Sequence, residues 1–90
     1  MKELPEGLSP YRRTPVFTEE TVPAGLLRDH QTKAGVWGVI EVSAGHLRYT
    51  IPSRGEVVEL HAGLKGIVEP EVPHHVTPLG EVAFSVEFWR

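Results

Sequence analysis

Eight prolines and nine glycines are spread so evenly through the ninety residues that no run of about twelve keeps the 3.6-residue period of a helix. Proline removes a backbone donor and glycine loses the most conformational freedom on ordering, so each one interrupts or ends a regular element. The segments between them are short, rich in Val, Ile, Leu, Phe and Tyr, and often alternate with polar residues, as half-buried strands do. About eight such strands, with turn signals every 8–12 residues or so, predict an all-β barrel or sandwich with no helix longer than about two turns.

Leu4 to Arg13 reads as an extended, proline-bearing arm, followed by an edge strand over Thr14-Pro15-Val16-Phe17. Strands are expected at Ala24 to His30, Val36 to Val42, His46 to Ile51, Glu56 to Leu60, Ile67 to Glu69, His74 to Val76 and Val82 to Trp89. Ser43-Ala44-Gly45 is a hairpin signal, and Pro78-Leu79-Gly80 reads as a turn.

Ninety residues predict one domain, residues 1–90, with a core small enough to favour a homodimer that hides more apolar surface. The net charge of −3, with both signs interspersed, leaves no basic stripe for phosphates and argues against a nucleic-acid partner. Without cysteine, any metal would be held by imidazole, carboxylate, carbonyl or water. No apolar run approaches the roughly 20 residues that span a bilayer, and the N-terminus lacks the apolar core of a signal peptide, so a cytoplasmic, membrane-free protein is expected.

Two stretches concentrate the candidate chemistry: His30-Gln31-Thr32-Lys33-Ala34-Gly35-Val36-Trp37 running on to His46-Leu47-Arg48-Tyr49, and Gly66-Ile67-Val68-Glu69-Pro70-Glu71-Val72-Pro73-His74. They resemble the two motifs of the cupins. The chain from Leu4-Pro5 through Tyr11-Arg12-Arg13-Thr14-Pro15-Val16-Phe17, Val22-Pro23-Ala24-Gly25 and Arg28-Asp29-His30 to Val86-Glu87-Phe88 resembles the TehB/YeaR-like family more closely. That resemblance implies a single small cupin (RmlC-like jelly-roll) β-barrel, found alone or fused to tellurite-resistance methyltransferases. It also implies that His30 and His74 face one pocket, although Thr32 and Trp37 stand where typical metal-binding cupins have a second histidine and a glutamate.

On this reading His30 and His74 bind a divalent transition metal such as zinc, iron or nickel, and the pocket takes a small molecule or oxyanion in tellurite or other stress resistance. Two imidazoles want a third ligand, and Glu87, matching an acidic residue of the family's closing strand, is the best candidate. Alternation counts against it, because Val82, Phe84, Val86 and Phe88 form one face and leave Glu87 on the other. A metal-dependent oxygenase or isomerase and a metal-free binding module stay open beside this reading, so catalysis is undecided. His46 and His61 read as exposed turn residues, and of the adjacent His74 and His75 only one can enter the pocket. Lys33 and Arg28 are the cations an anion beside His30 could use, solvated charge being their ordinary role.

Overall fold

A computed structural model describes residues 1–90. The strands are β1 (Pro10–Arg13), β2 (Phe17–Thr18), β3 (Trp37–Ile51), β4 (Glu56–Leu60), β5 (Gly66–Val68) and β6 (His75–Trp89), with single 3-10 turns at Ala24–Leu27 and Pro52–Arg54. The all-β expectation holds, but six strands form one antiparallel sheet that does not close as the expected jelly-roll barrel would. Strand order is β1-β6-β3-β4, with β2 added to β6 and β5 to β3. No helix is long and apolar enough to cross a membrane.

The count falls below eight because two of the expected turns are bends inside strands. Ser43-Ala44-Gly45 does not reverse the chain: β3 continues through it, and its pairing with β6 slips between Val42 and Ala44 and again between Gly45 and Leu47. Opposite this, β6 runs through Pro78-Leu79-Gly80, with Pro78 beside Leu47 and Val82 beside Gly45. A β-bulge and a tight turn ask for the same residues, a glycine at positive φ and a proline that donates nothing, so local sequence does not separate them. Gly45 and Gly80 sit at φ 74° and 80°.

The bend also re-phases the side chains. Ile40 and Val42 point into the core from even positions, whereas Leu47, Tyr49 and Ile51 do so from odd ones. Unbroken alternation would have turned one half of β3 to solvent, so the slipped residues let a single strand bury apolar groups along its whole length. Leu60, Val68, Val76, Val82 and Phe84 complete the core.

Two further segments differ from expectation. Ala24 to His30 is not a strand: Leu26 N donates to Pro23 O at 3.0 Å, and a 3-10 turn packs Leu26 against the core while Leu27 stays exposed. Pro23 supplies the pre-set φ that starts such a turn. The N-terminal arm is stitched to β6, with Ser9 and Arg90 exchanging both backbone hydrogen bonds at 3.1 Å and Val86 N donating to Thr14 Oγ1 at 3.0 Å.

At Gly45 a Cβ would lie 1.9 Å from the Glu81 carbonyl oxygen, a backbone atom that cannot move without opening the sheet. Gly45→Ala should therefore lower stability in urea by at least about 2 kcal/mol, left-handed strain plus the clash, whereas Gly55→Ala should lose only about 1 kcal/mol. Gly55 shares the positive φ but has open space around it. Equal losses for the two variants would mean that the close approach at the bend contributes nothing.

Candidate functional site

The concave side of the sheet holds a cavity of about 640 Å³. Its floor is apolar, with Ile40, Val68, Val76, Phe84 and Val86 among its residues, and the arm from Tyr11 to Pro15 forms one wall. Volume and lining suit a drug-sized molecule.

His30 and His74 also line the cavity. Backbone pairing holds them together: His30 N donates to His74 O and His74 N to His30 O, both at 2.9 Å. The segment that follows the 3-10 turn is thereby pinned to the chain just before β6, and the two ring centroids lie 4.2 Å apart. Tyr49 supports the pair from beneath, its ring edge-on to His74 at 5.6 Å and its hydroxyl donating to Ile67 O at 2.9 Å. Burial first, and then the Glu56 carboxylate, push the Tyr49 phenol upward, so it stays protonated and keeps donating.

Both imidazoles make the same contact. Nδ1 of His30 lies 3.0 Å from Arg28 O, and Nδ1 of His74 lies 3.0 Å from Val72 O. A carbonyl oxygen only accepts, so in each ring Nδ1 carries the proton, and in the neutral form Nε2 is left with a bare lone pair. Neither Nε2 has a protein partner, although His74 is only 4% exposed. No buried side-chain nitrogen or oxygen lacks a hydrogen bond, and both histidines line the cavity, so both lone pairs open into it.

The rest of the wall is cationic or neutral. Arg12, Arg13 and Lys33 border the cavity, and no Asp or Glu does. Arg13 is spoken for, donating to Glu87 Oε2 at 3.0 Å and to Ser85 Oγ at 3.1 Å, whereas Arg12 and Lys33 have no carboxylate partner within 4 Å. Arg12 lies in the Tyr11 to Phe17 stretch that carries the family resemblance, but nothing local gives it a role, since it reaches the cavity only because β1 pairs with the end of β6. Arg28, considered beside Lys33, contributes its carbonyl to His30 rather than its charge. Thr32 shapes the loop beneath Lys33: its hydroxyl donates to Val36 O at 2.7 Å and its carbonyl accepts from Glu71 N at 3.0 Å.

Glu87 does not join the histidines. It lies on the outer face, as alternation along β6 requires, where Arg13 and the Trp89 indole, which donates at 3.0 Å, occupy its carboxylate. His75 turns away from His74 and meets Asp29 Oδ1 at 2.7 Å. His46 and His61 are exposed, the first 3.4 Å from Glu59 and the second with Nδ1 2.9 Å from its neighbour Ala62's carbonyl. Nowhere do three or more His, Asp or Glu side chains converge as a metal centre requires. The expected zinc, iron or nickel cofactor is thus corrected on donor geometry: two imidazoles converge, and the nearest acid proposed as a third ligand is neutralised on the other side of the sheet.

Burial first, opposed by the hydrogen bond to Val72 and reinforced by His30, holds the His74 imidazole below its ordinary value of 6.5. Asp29 raises it and His75 lowers it further. Above that ordinary value the residue is neutral whether folded or not. As pH falls below it, the unfolded chain takes up a proton that the native site resists, so stability declines with acidity until the lowered native value is reached. His74→Phe, which keeps a ring against Tyr49, should lose less stability than wild type between about pH 8 and about pH 5.5 in parallel urea titrations. Identical losses would show that His74 titrates freely.

Residues 12–86 match the profile of the TehB-like domain. The chain is 32% identical, in a 76-residue alignment that covers 79% of its length, to proteins described as probable S-adenosyl-L-methionine-dependent methyltransferase TehB from two strains of Haemophilus influenzae. It spans about a quarter of those relatives, 27% of each. Among solved structures it superposes on all but 3% of a protein from E. coli strain K12, with a TM-score of 0.86, 25% identity and 100% of this chain covered. It also matches TehB of Haemophilus influenzae with a TM-score of 0.83 and 26% identity, covering 93% of this chain and 32% of that one. These relatives are described by a methyl-donor cofactor, so the expected metal-binding cupin function gives way to a relationship with methyltransferases. With most of its length matched, the chain belongs to the TehB-like domain family.

Proposed function

We propose that residues 1–90 are one ligand-binding domain whose cavity holds a small organic anion, and that it serves a TehB-type methyltransferase system by binding the small molecule rather than the methyl donor. The observation that carries this reading is the sign of the wall. In a chain of net charge −3, the cavity has Arg12 and Lys33 free at its border and no carboxylate. An acidic protein that gathers unpaired cations around an apolar cup attracts anions there and repels them elsewhere.

S-adenosylmethionine, named in the relatives' description, does not fit this cavity. Its sulfonium is a cation and its ribose diol is characteristically held by a carboxylate, and neither would find an acidic partner here. The all-β chain also lacks the strand, glycine loop and helix that cradle such nucleotides. An organic carboxylate or a comparable oxyanion suits the site better: the apolar floor takes its body, and the two cations take its charge.

Calorimetry with benzoate as an anion probe should show binding that weakens as salt is raised. The double variant Arg12→Gln, Lys33→Gln should bind about tenfold more weakly, each partly exposed charge contributing about 0.5–1 kcal/mol. S-adenosylmethionine should give no heat. Tight binding of that cofactor, or benzoate affinity indifferent to the double variant, would overturn the reading.

The same proposal includes a homodimer. The outer edge of β4 has no strand partner and leaves Val57 60% exposed, and a domain this small gains from covering such an edge. Light scattering through the micromolar range should report twice the chain mass, and Val57→Lys should shift the equilibrium to monomer. A concentration-independent monomer would exclude the dimer.

A further inference from the structure

Beyond attracting a negative charge, the cavity makes a second demand on its ligand, and it comes from the histidines. Each Nδ1–H is committed to a backbone carbonyl two residues earlier, so both neutral rings present acceptors, not donors, to the cavity. The arrangement is fixed by main chain: a reciprocal pair of 2.9 Å hydrogen bonds sets the two backbones, and Tyr49 braces the His74 ring. His74 is almost wholly buried but its Nε2 opens into the cavity, so a ligand that displaces the cavity's water must itself satisfy that lone pair.

Resting on the anion-binding reading, we infer that the cavity selects small hydroxy-acids: an apolar body with an anionic group directed to Arg12 and Lys33 and a neutral O–H donor directed to Nε2 of His30 and His74. A fully deprotonated inorganic oxyanion brings acceptors alone. Against two imidazole lone pairs it would be repelled, and the floor of Ile40, Val68, Val76 and Phe84 offers it nothing in place of hydration. A plain carboxylic acid satisfies the cations and the floor but leaves the buried lone pair of His74 without a partner. A site built to hydrogen-bond a hydroxyl discriminates strongly against the analogue that lacks it, because the buried polar group is then stranded.

The wild-type chain is titrated calorimetrically at about pH 8, where ordinary imidazole is neutral. The probes are benzoate, the three hydroxybenzoate isomers and the matching methoxybenzoates. The three isomers sample the spacing between anion and hydroxyl. At least one should bind tenfold or more tightly than benzoate, its methoxy counterpart should gain nothing, and in a ¹⁵N-histidine-labelled sample that isomer alone should shift the Nε2 resonance of His74. If benzoate binds and neither the hydroxyl nor the methoxy group changes its affinity, the donor requirement is overturned and the anion pocket stands. If none of the acids binds, both are overturned. A variant is not needed for the decision, and His30→Phe, on the less buried partner, checks it: the ratio of that isomer's affinity to benzoate's should fall.

Discussion

The antiparallel contact between β3 and β6 carries the rest of the molecule. Both are fifteen residues long, and every other strand is an addition to one or the other: β1 and β2 to β6, β4 and β5 to β3. Strands of this length in a ninety-residue protein would give a flat ribbon too exposed to hold a core. The bend at Gly45 and Gly80 resolves this, because it lets one pair of strands supply both the floor of the cavity and the packing beyond it. Glu19 is part of the same joint, its carboxylate accepting from Val82 N at 3.0 Å. That backbone hydrogen bond holds its pKa below the usual carboxylate value.

The pocket inherits its chemistry from this scaffold. Because β6 begins at His75, the residue before it sits at the mouth of the sheet, where the segment from Arg28 to His30 can pair with it once. A single isolated bridge is weak by itself. Here it is reinforced by the two imidazole contacts to carbonyls, which fold each side chain back along its own chain and leave the same nitrogen facing inward. Ligand sets for transition metals bring a third protein donor, whereas Asp29 is engaged with His75 and Glu87 lies on the outer face with Arg13.

Strand class was readable from the sequence because punctuation and alternation are local properties, and the positions of β4, β5 and the apolar half of β6 follow from them directly. The two bends were not readable as bends. Ser43-Ala44-Gly45 and Pro78-Leu79-Gly80 satisfy the backbone needs of a hairpin and of a bulge equally, and only pairing between residues some thirty-five apart decides which forms. Ala24 to His30 was misread for a related reason: Leu26 is apolar in either conformation, and Pro23 together with the core contact selects the 3-10 turn. Within the site, the meeting of His30 and His74 was reached through family resemblance. Parity along β6 separately identified the face on which Glu87 lies. Arg12 left no local signal, since its place at the cavity depends on the register of β1 against the last residues of β6.

The outer and inner faces of the sheet divide the charges in a way that sharpens the reading of the site. Outside, Arg13 bridges Glu87 and approaches Glu41, Lys65 meets Glu41 at 3.2 Å, and Lys2 meets Glu69 at 3.4 Å. These partly exposed pairs contribute little individually, and other charges, Arg48, Glu20 and Glu81 among them, have no ionic partner. Inside, Arg12 and Lys33 remain without partners beside two proton-accepting imidazoles. Arg28, Arg48 and Arg90 also lack an acid partner, so what distinguishes Arg12 and Lys33 is their place at a cavity whose lining holds no carboxylate. Beside the apolar floor and the inward-facing Nε2 atoms of His30 and His74, these two cations are the charges that the proposed anion would meet.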